Sequence, residues 1–87
     1  MKHFEYTPSR IVCSRLISFD LDEEGKIHNL GFLGGCNGNL KAIGLLLEGK
    51  SAQDAINTLQ GNTCGPRPTS CADQLSLALV EALSSMN

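Results

Sequence analysis

The chain has 87 residues, 41% of them hydrophobic, with nine acidic side chains against seven basic ones and four cysteines. That length holds one domain, 1–87, with one core; chains of this size bury roughly 60 to 65% of their unfolded surface, so neither a metal nor a disulfide is required for folding. The basic residues stand singly, from Lys2 and Arg10 to Lys50 and Arg67, and the absence of a basic stripe argues against a nucleic-acid partner.

The longest apolar candidate, Leu75 to Leu83, is interrupted by Ser76 and Glu81, so no membrane is expected. Met1 to Pro8 lacks the apolar segment of a secretory signal, which makes the expected location cytoplasmic, where thiols stay reduced. Four cysteines in such a compartment point to metal binding, thiol chemistry or burial before disulfides.

In chain order, Phe4 and Tyr6 alternate with polar neighbours, and the stretch from Ile11 to Asp22 alternates for longer. Both read as strands. On the second, Ile11, Cys13, Ile17, Phe19 and Leu21 share one face, and Ser14, Ser18, Asp20 and Asp22 the other, the pattern of a half-buried antiparallel sheet. Asp22-Glu23-Glu24-Gly25 is a hairpin turn, and Lys26 to Leu33 is the return strand. Ile27 falls out of phase with Leu30 and Phe32, which points to a bulge or to a misplaced strand boundary.

After Gly34-Gly35-Cys36-Asn37-Gly38-Asn39 the period becomes helical, with Leu40, Ile43, Leu46 and Leu47 on one face and Gly49 as the stop. Ser51-Ala52-Gln53-Asp54 has the form of an N-cap, opening a second helix through Ala55, Ile56 and Leu59. A loop with Cys64, Pro66 and Pro68 leads to a similar cap at Ser70-Cys71-Ala72-Asp73, and Ala72, Leu75, Leu79, Leu83 and Met86 repeat along a final helix. Strands first and helices after give an α+β class: a small antiparallel sheet of three strands followed by three helices packed on one face.

Opposed residues of an antiparallel pair have numbers of constant sum, fixed by the turn. A loop at Glu24-Gly25 gives a sum of 49 and sets Cys13 opposite Cys36; a three-residue loop gives 48 and sets Gly35 there; a loop at Glu23-Glu24 gives 47 and sets Gly34 there. Each brings Cys13 beside the glycine-rich turn. Cys36 and Cys71 both stand at predicted helix N-termini, where free N–H groups and the helix dipole favour a thiolate. Cys64 can reach the same place from the loop. The metal reading therefore takes Cys13, Cys36, Cys64 and Cys71 as its ligands, although no Cys-x-x-Cys pair is present and burial in the core is the competing reading.

Other side chains carry weaker signals. His3 and His28 offer nitrogen ligands, though a strand histidine is more often solvated or satisfied. Arg67 is read as a solvated loop residue and Asp73 as a capping residue. The glycine-rich turn lacks the Lys-Ser/Thr ending of a nucleotide loop, and no catalytic triad or carboxylate pair is legible.

Thr69-Ser70-Cys71-Ala72-Asp73-Gln74-Leu75, with Gly35-Cys36-Asn37-Gly38-Asn39-Leu40 and Val12-Cys13, resembles the TSCPD domain from about Tyr6 to Leu83, alanine at 72 replacing the proline of that name. The resemblance implies a small free-standing relative of the C-terminal segments of adenosylcobalamin-dependent ribonucleoside-diphosphate reductases, whose cysteines are suspected metal ligands. The chain is far too short for that enzyme's barrel, so catalysis by itself is not expected. A more distant resemblance is to iron-sulfur cluster assembly scaffolds, carried by Cys13, the turn at Asp22 to Gly25, Gly35-Cys36, Gly49-Lys50-Ser51 and Cys71; Arg15 departs from that pattern, in which an aspartate stands two residues past the first cysteine. Together these imply zinc or an iron-sulfur cluster as cofactor, and a ribonucleotide reductase or a cluster-assembly protein as partner. The alternative is a metal-free interaction or homodimerisation domain. Thiol-disulfide exchange ranks last for want of a Cys-x-x-Cys.

Overall fold

The computed structural model describes residues 1–10, 12, 14–34, 37–62, 66 and 68–86. Three strands, β1 (Lys2–Tyr6), β2 (Ser14–Leu21) and β3 (Ile27–Gly34), are followed by three helices, α1 (Asn37–Leu47), α2 (Ala52–Leu59) and α3 (Cys71–Met86). The sheet has the order β1-β2-β3 and is antiparallel throughout. This is the α+β arrangement read from the order of hydrophobic periods.

The inner face of β2 carries Ile17, Phe19 and Leu21, which are 0 to 1% exposed. Each contributes about 1.5 to 3 kcal/mol by leaving water. Phe4, opposite Phe19 on β1, stacks on it with ring centroids 5.7 Å apart. Against this face lie Ala55 and Ile56 of α2 and Leu75, Ala78, Leu79 and Ala82 of α3, with Ile27 from β3 completing the cluster. The small alanines let the helices approach the sheet closely.

The hairpin loop has three residues, Glu23-Glu24-Gly25, closed by the Asp22 N–H donating to the Lys26 carbonyl at 3.1 Å. Gly25 takes φ 77°, which a side chain resists. The register therefore starts at a sum of 48 for Leu21 and Ile27, passes to 49 for Ser18 and Gly31, and returns to 48 for Ser14 and Gly34. Two bulges produce the two changes. The first puts an extra residue on β3 beside Asn29, which adopts a left-handed φ of 55° and brings Ile27 into phase with Leu30 and Phe32. The second puts Arg15 as the extra residue on β2.

That second bulge corrects the reading of Ser14. Simple alternation assigns it to the solvent face, but it is 3% exposed, because an inserted residue lets Ser14 and Ile17 share the inner face. The described strand is Ser14–Leu21, with Val12 outside it, while Ile11 and Cys13, where the alternation also expects strand, lie outside the described residues.

Helix α1 runs along β3, and Gly44 is required there: a Cβ at that position would stand 2.9 Å from the Leu30 carbonyl oxygen. Leu40 is buried and Ile43 and Leu47 pack on the core, but Leu46, expected on the same face, is 72% exposed. The step Gly49-Lys50-Ser51 is laced to the hairpin by Gly49 N–H to Ile27 O, Ile27 N–H to Lys50 O and Ala52 N–H to Gly25 O. Ser51 caps α2 as expected, its hydroxyl accepting from the Asp54 N–H.

Candidate functional site

Cys71 is the first residue of α3, and the segment before it is held by a continuous polar network. The Ser70 hydroxyl accepts from the Asp73 N–H at 3.1 Å, the N-cap geometry, and donates to the Asn62 carbonyl at 2.7 Å. Asp73 does more than cap. Its carboxylate accepts from the Gly61 N–H at 2.7 Å and from the Thr69 hydroxyl, joining the end of α2 to the start of α3. Gln74 donates to the Thr69 hydroxyl at 3.1 Å and accepts from the Ser9 N–H at 2.9 Å, which ties the helix start to the chain after β1.

Thr69, Ser70, Gln74 and Ser76 are buried polar residues. Buried polar groups are costly unless bonded, and among the described residues no buried side-chain nitrogen or oxygen lacks a partner. The motif around Cys71 thus works as an anchor that sets the position and direction of one thiol.

That thiol meets β2. The Ser14 hydroxyl donates to Cys71 Sγ at 3.2 Å, and Ser14 is paired across the sheet with Gly34. The start of α3, the first residue of β2 and the last residue of β3 therefore converge at the open end of the hairpin. Cys71 is partly exposed and not disulfide-bonded. Of the other sequence-predicted site residues, Cys13, Cys36 and Cys64 lie outside the described residues, as does Arg67. Among the described residues no group of three His, Cys, Asp or Glu side chains is placed to hold a metal ion.

Sequence reasoning missed Ser14, Gln74 and Ser76. Ser14 faces Cys71 only because of the bulge at Arg15, which leaves no local signal. Gln74 and Ser76 interrupt the apolar repeat of α3, and their partners are backbone groups and residues elsewhere in the chain.

The two histidines serve the opposite end of the hairpin. His28 lies between Asp22 (Nε2 to Oδ2, 2.8 Å) and Glu48 (Nδ1 to Oε2, 2.6 Å). With a carboxylate on each ring nitrogen the protonated imidazole is favoured, so the His28 pKa is raised, by Asp22 first and then Glu48. In return the Asp22 carboxyl is lowered to about 2, by His28 and by the Lys26 and Glu24 N–H groups it accepts from. Glu48 is lowered as well, first by the Asn29 N–H donating to it and then by His28. His3 sits similarly between Asp20 and Glu5 on the outer face, and its pKa is also raised, with Asp20 the larger cause. Both ring nitrogens of each histidine are engaged by carboxylates, the satisfied state expected of a strand histidine.

No helix among the described residues is long and apolar enough to cross a membrane. No curated protein and no solved structure is significantly similar to the chain. The sequence profile of the TSCPD domain, by contrast, matches residues 2–83, a span that takes in all three strands and the whole anchoring network around Cys71. On that match, the chain belongs to the TSCPD domain family.

Proposed function

We propose that this is a non-catalytic cysteine-cluster module in which Cys13, Cys36, Cys64 and Cys71 together hold zinc or an iron-sulfur cluster, in the reducing setting of the cytoplasm. The observation that carries the reading is the contact of Ser14 with Cys71 at 3.2 Å beside the Ser14 to Gly34 pair. Consecutive Cα atoms are about 3.8 Å apart. Cys13 directly precedes Ser14 in the sequence and Cys36 follows Gly34 by two residues, and this closeness along the chain is what supports taking them as ligands with Cys71.

The donor chemistry fits. Four thiolates suit zinc, which takes all-cysteine ligand sets in closed structural sites, and suit iron-sulfur clusters equally. When bound, such a group cross-links the open end of the hairpin to α3. A hydroxyl donating to sulfur is a contact that a ligating thiolate accepts well, and Ser14 would act as an outer-shell partner fixing the direction of Cys71. The role we assign is accessory, next to ribonucleotide reduction or cluster assembly, on the resemblances carried by the cysteine motifs.

The test is metal content of protein purified without air or chelator. Stoichiometric zinc or iron in the wild type, lost in Cys71→Ser, is the expected result; a fully folded wild-type chain free of metal would sink the reading. In a folded holo-protein with a single zinc, the sulfurs stand at separations of about 3.8 Å, as tetrahedral Zn–S bonds near 2.3 Å require.

A further inference from the structure

Helix α1 is apolar on two opposite sides. Leu40, Ile43 and Leu47 face the sheet, while Ala42, Leu45 and Leu46, at i, i+3 and i+4, form an outward ridge on which Leu45 is 71% and Leu46 72% exposed. A helix apolar all round is normally covered all round. We infer that the outward ridge of α1 is the contact surface for a second copy of this chain, packed antiparallel about a two-fold axis near Gly44 and Leu45.

The charge pattern selects that occupant. Lys41 on α1 and Glu48, the residue directly after the helix, are seven residues apart, and both line, with Leu45, the groove of about 410 Å³ between α1 and β3, which puts them on one flank. The midpoint of the two lies between Gly44 and Leu45, at the centre of the leucine ridge. A two-fold axis perpendicular to antiparallel helices keeps each flank on its own side and reverses direction along the helix. Lys41 of one copy then meets Glu48 of the other, twice, on either side of the interdigitated leucines. A parallel pair would forfeit both contacts. Among the described residues Lys41 makes no ion pair, and Glu48, although it accepts from the Asn29 N–H and pairs with His28, keeps about half of its side chain exposed. The surface is therefore complementary to itself, in apolar area at the centre and in charge at the rim.

The test is the mass in solution across a concentration series, by sedimentation or light scattering, against the 9.3 kDa chain. Wild-type protein is expected to reach twice that mass, and Leu45→Gln/Leu46→Gln to weaken association on the order of a hundredfold. Both positions are exposed, so the variant keeps its fold and its metal content, which separates this outcome from failure of the cysteine site. Lys41→Glu and Glu48→Lys should each stay monomeric where the wild type pairs, because each sets like charges against each other, while an equimolar mixture of the two should form a heterodimer. Because Glu48→Lys also removes the His28 contact, its fold is checked by circular dichroism and thermal melting. A wild type that stays monomeric into the millimolar range, a leucine variant that associates like the wild type, or a mixture of folded charge variants that fails to pair would each overturn the proposal; the first would assign the ridge to a different partner.

Discussion

Asp73 shows how one side chain can be assigned correctly in kind and still be underread. Its place three residues after Ser70 marks a helix start, and the Ser70 hydroxyl does accept from its N–H. Its carboxylate, however, is spent on the Gly61 N–H, twelve residues away, and on the Thr69 hydroxyl. A net intramolecular hydrogen bond contributes about 0.5 to 1.5 kcal/mol, and the Gly61 N–H is exposed, so water can take the place of the carboxylate there. Asp73→Ala is therefore expected to lower the unfolding free energy by about 1 to 3 kcal/mol in urea titration, with Asp73→Asn in between because it retains one acceptor oxygen. An alanine variant as stable as the wild type would show that the anchor is not structural. Ser14 is the opposite case: nothing in its neighbourhood announces that it turns inward to Cys71, since the bulge at Arg15 depends on the register of a different strand.

Among the elements, the closed end of the hairpin is clasped to the end of α1 through His28, held by Asp22 from the turn and by Glu48 directly after the helix, with the Lys26 and Glu24 pair at the exposed rim. The sign of its pH dependence follows from the two shifts. His28 has a folded pKa raised above 6.5, so its contribution is fully present below about 6.5 and is lost as pH rises through the raised value. Asp22 has a folded pKa lowered from 3.8 to about 2, so its contribution is present above 3.8 and is lost as pH falls toward 2. Melting temperature should therefore be highest between about pH 4 and 6.5 and decline toward pH 8. His3, paired with Asp20 and Glu5, acts with the same sign. In the double variant His3→Gln/His28→Gln the decline between pH 6 and 8 should disappear; its persistence would place the titrating group elsewhere. None of this was legible in the sequence. Asp22 and His28 meet across a turn, and Glu48 reaches them only after α1 has packed on β3.

At the scale of the whole molecule, the core is built around Phe19, fully buried and stacked on Phe4. Phe19→Ala is expected to cost about 3 to 5 kcal/mol, a large part of the stability of a domain this small, and to lower its denaturation midpoint with little change in slope. A loss below about 1 kcal/mol would mean that helices and sheet are not packed around that ring.

Hydrophobic periods determined the order of elements and the antiparallel hairpin, and the Ser-x-x-Asp pattern determined the caps at Ser51 and Ser70, because each is a local matter of side-chain alternation or of backbone donors within a turn of helix; at Ile27 the broken period left a bulge and a misplaced boundary as alternatives, and the register decided for the bulge. The position of Cys71 at the start of α3 was legible for the same reason. Tertiary structure decided the rest. Two bulges with cancelling shifts set Ser14 against Cys71, a close approach at Gly44 turned Leu46 outward, and distant carboxylates claimed both histidines. Each depends on where separate elements meet in space, and sequence spacing carries no record of that.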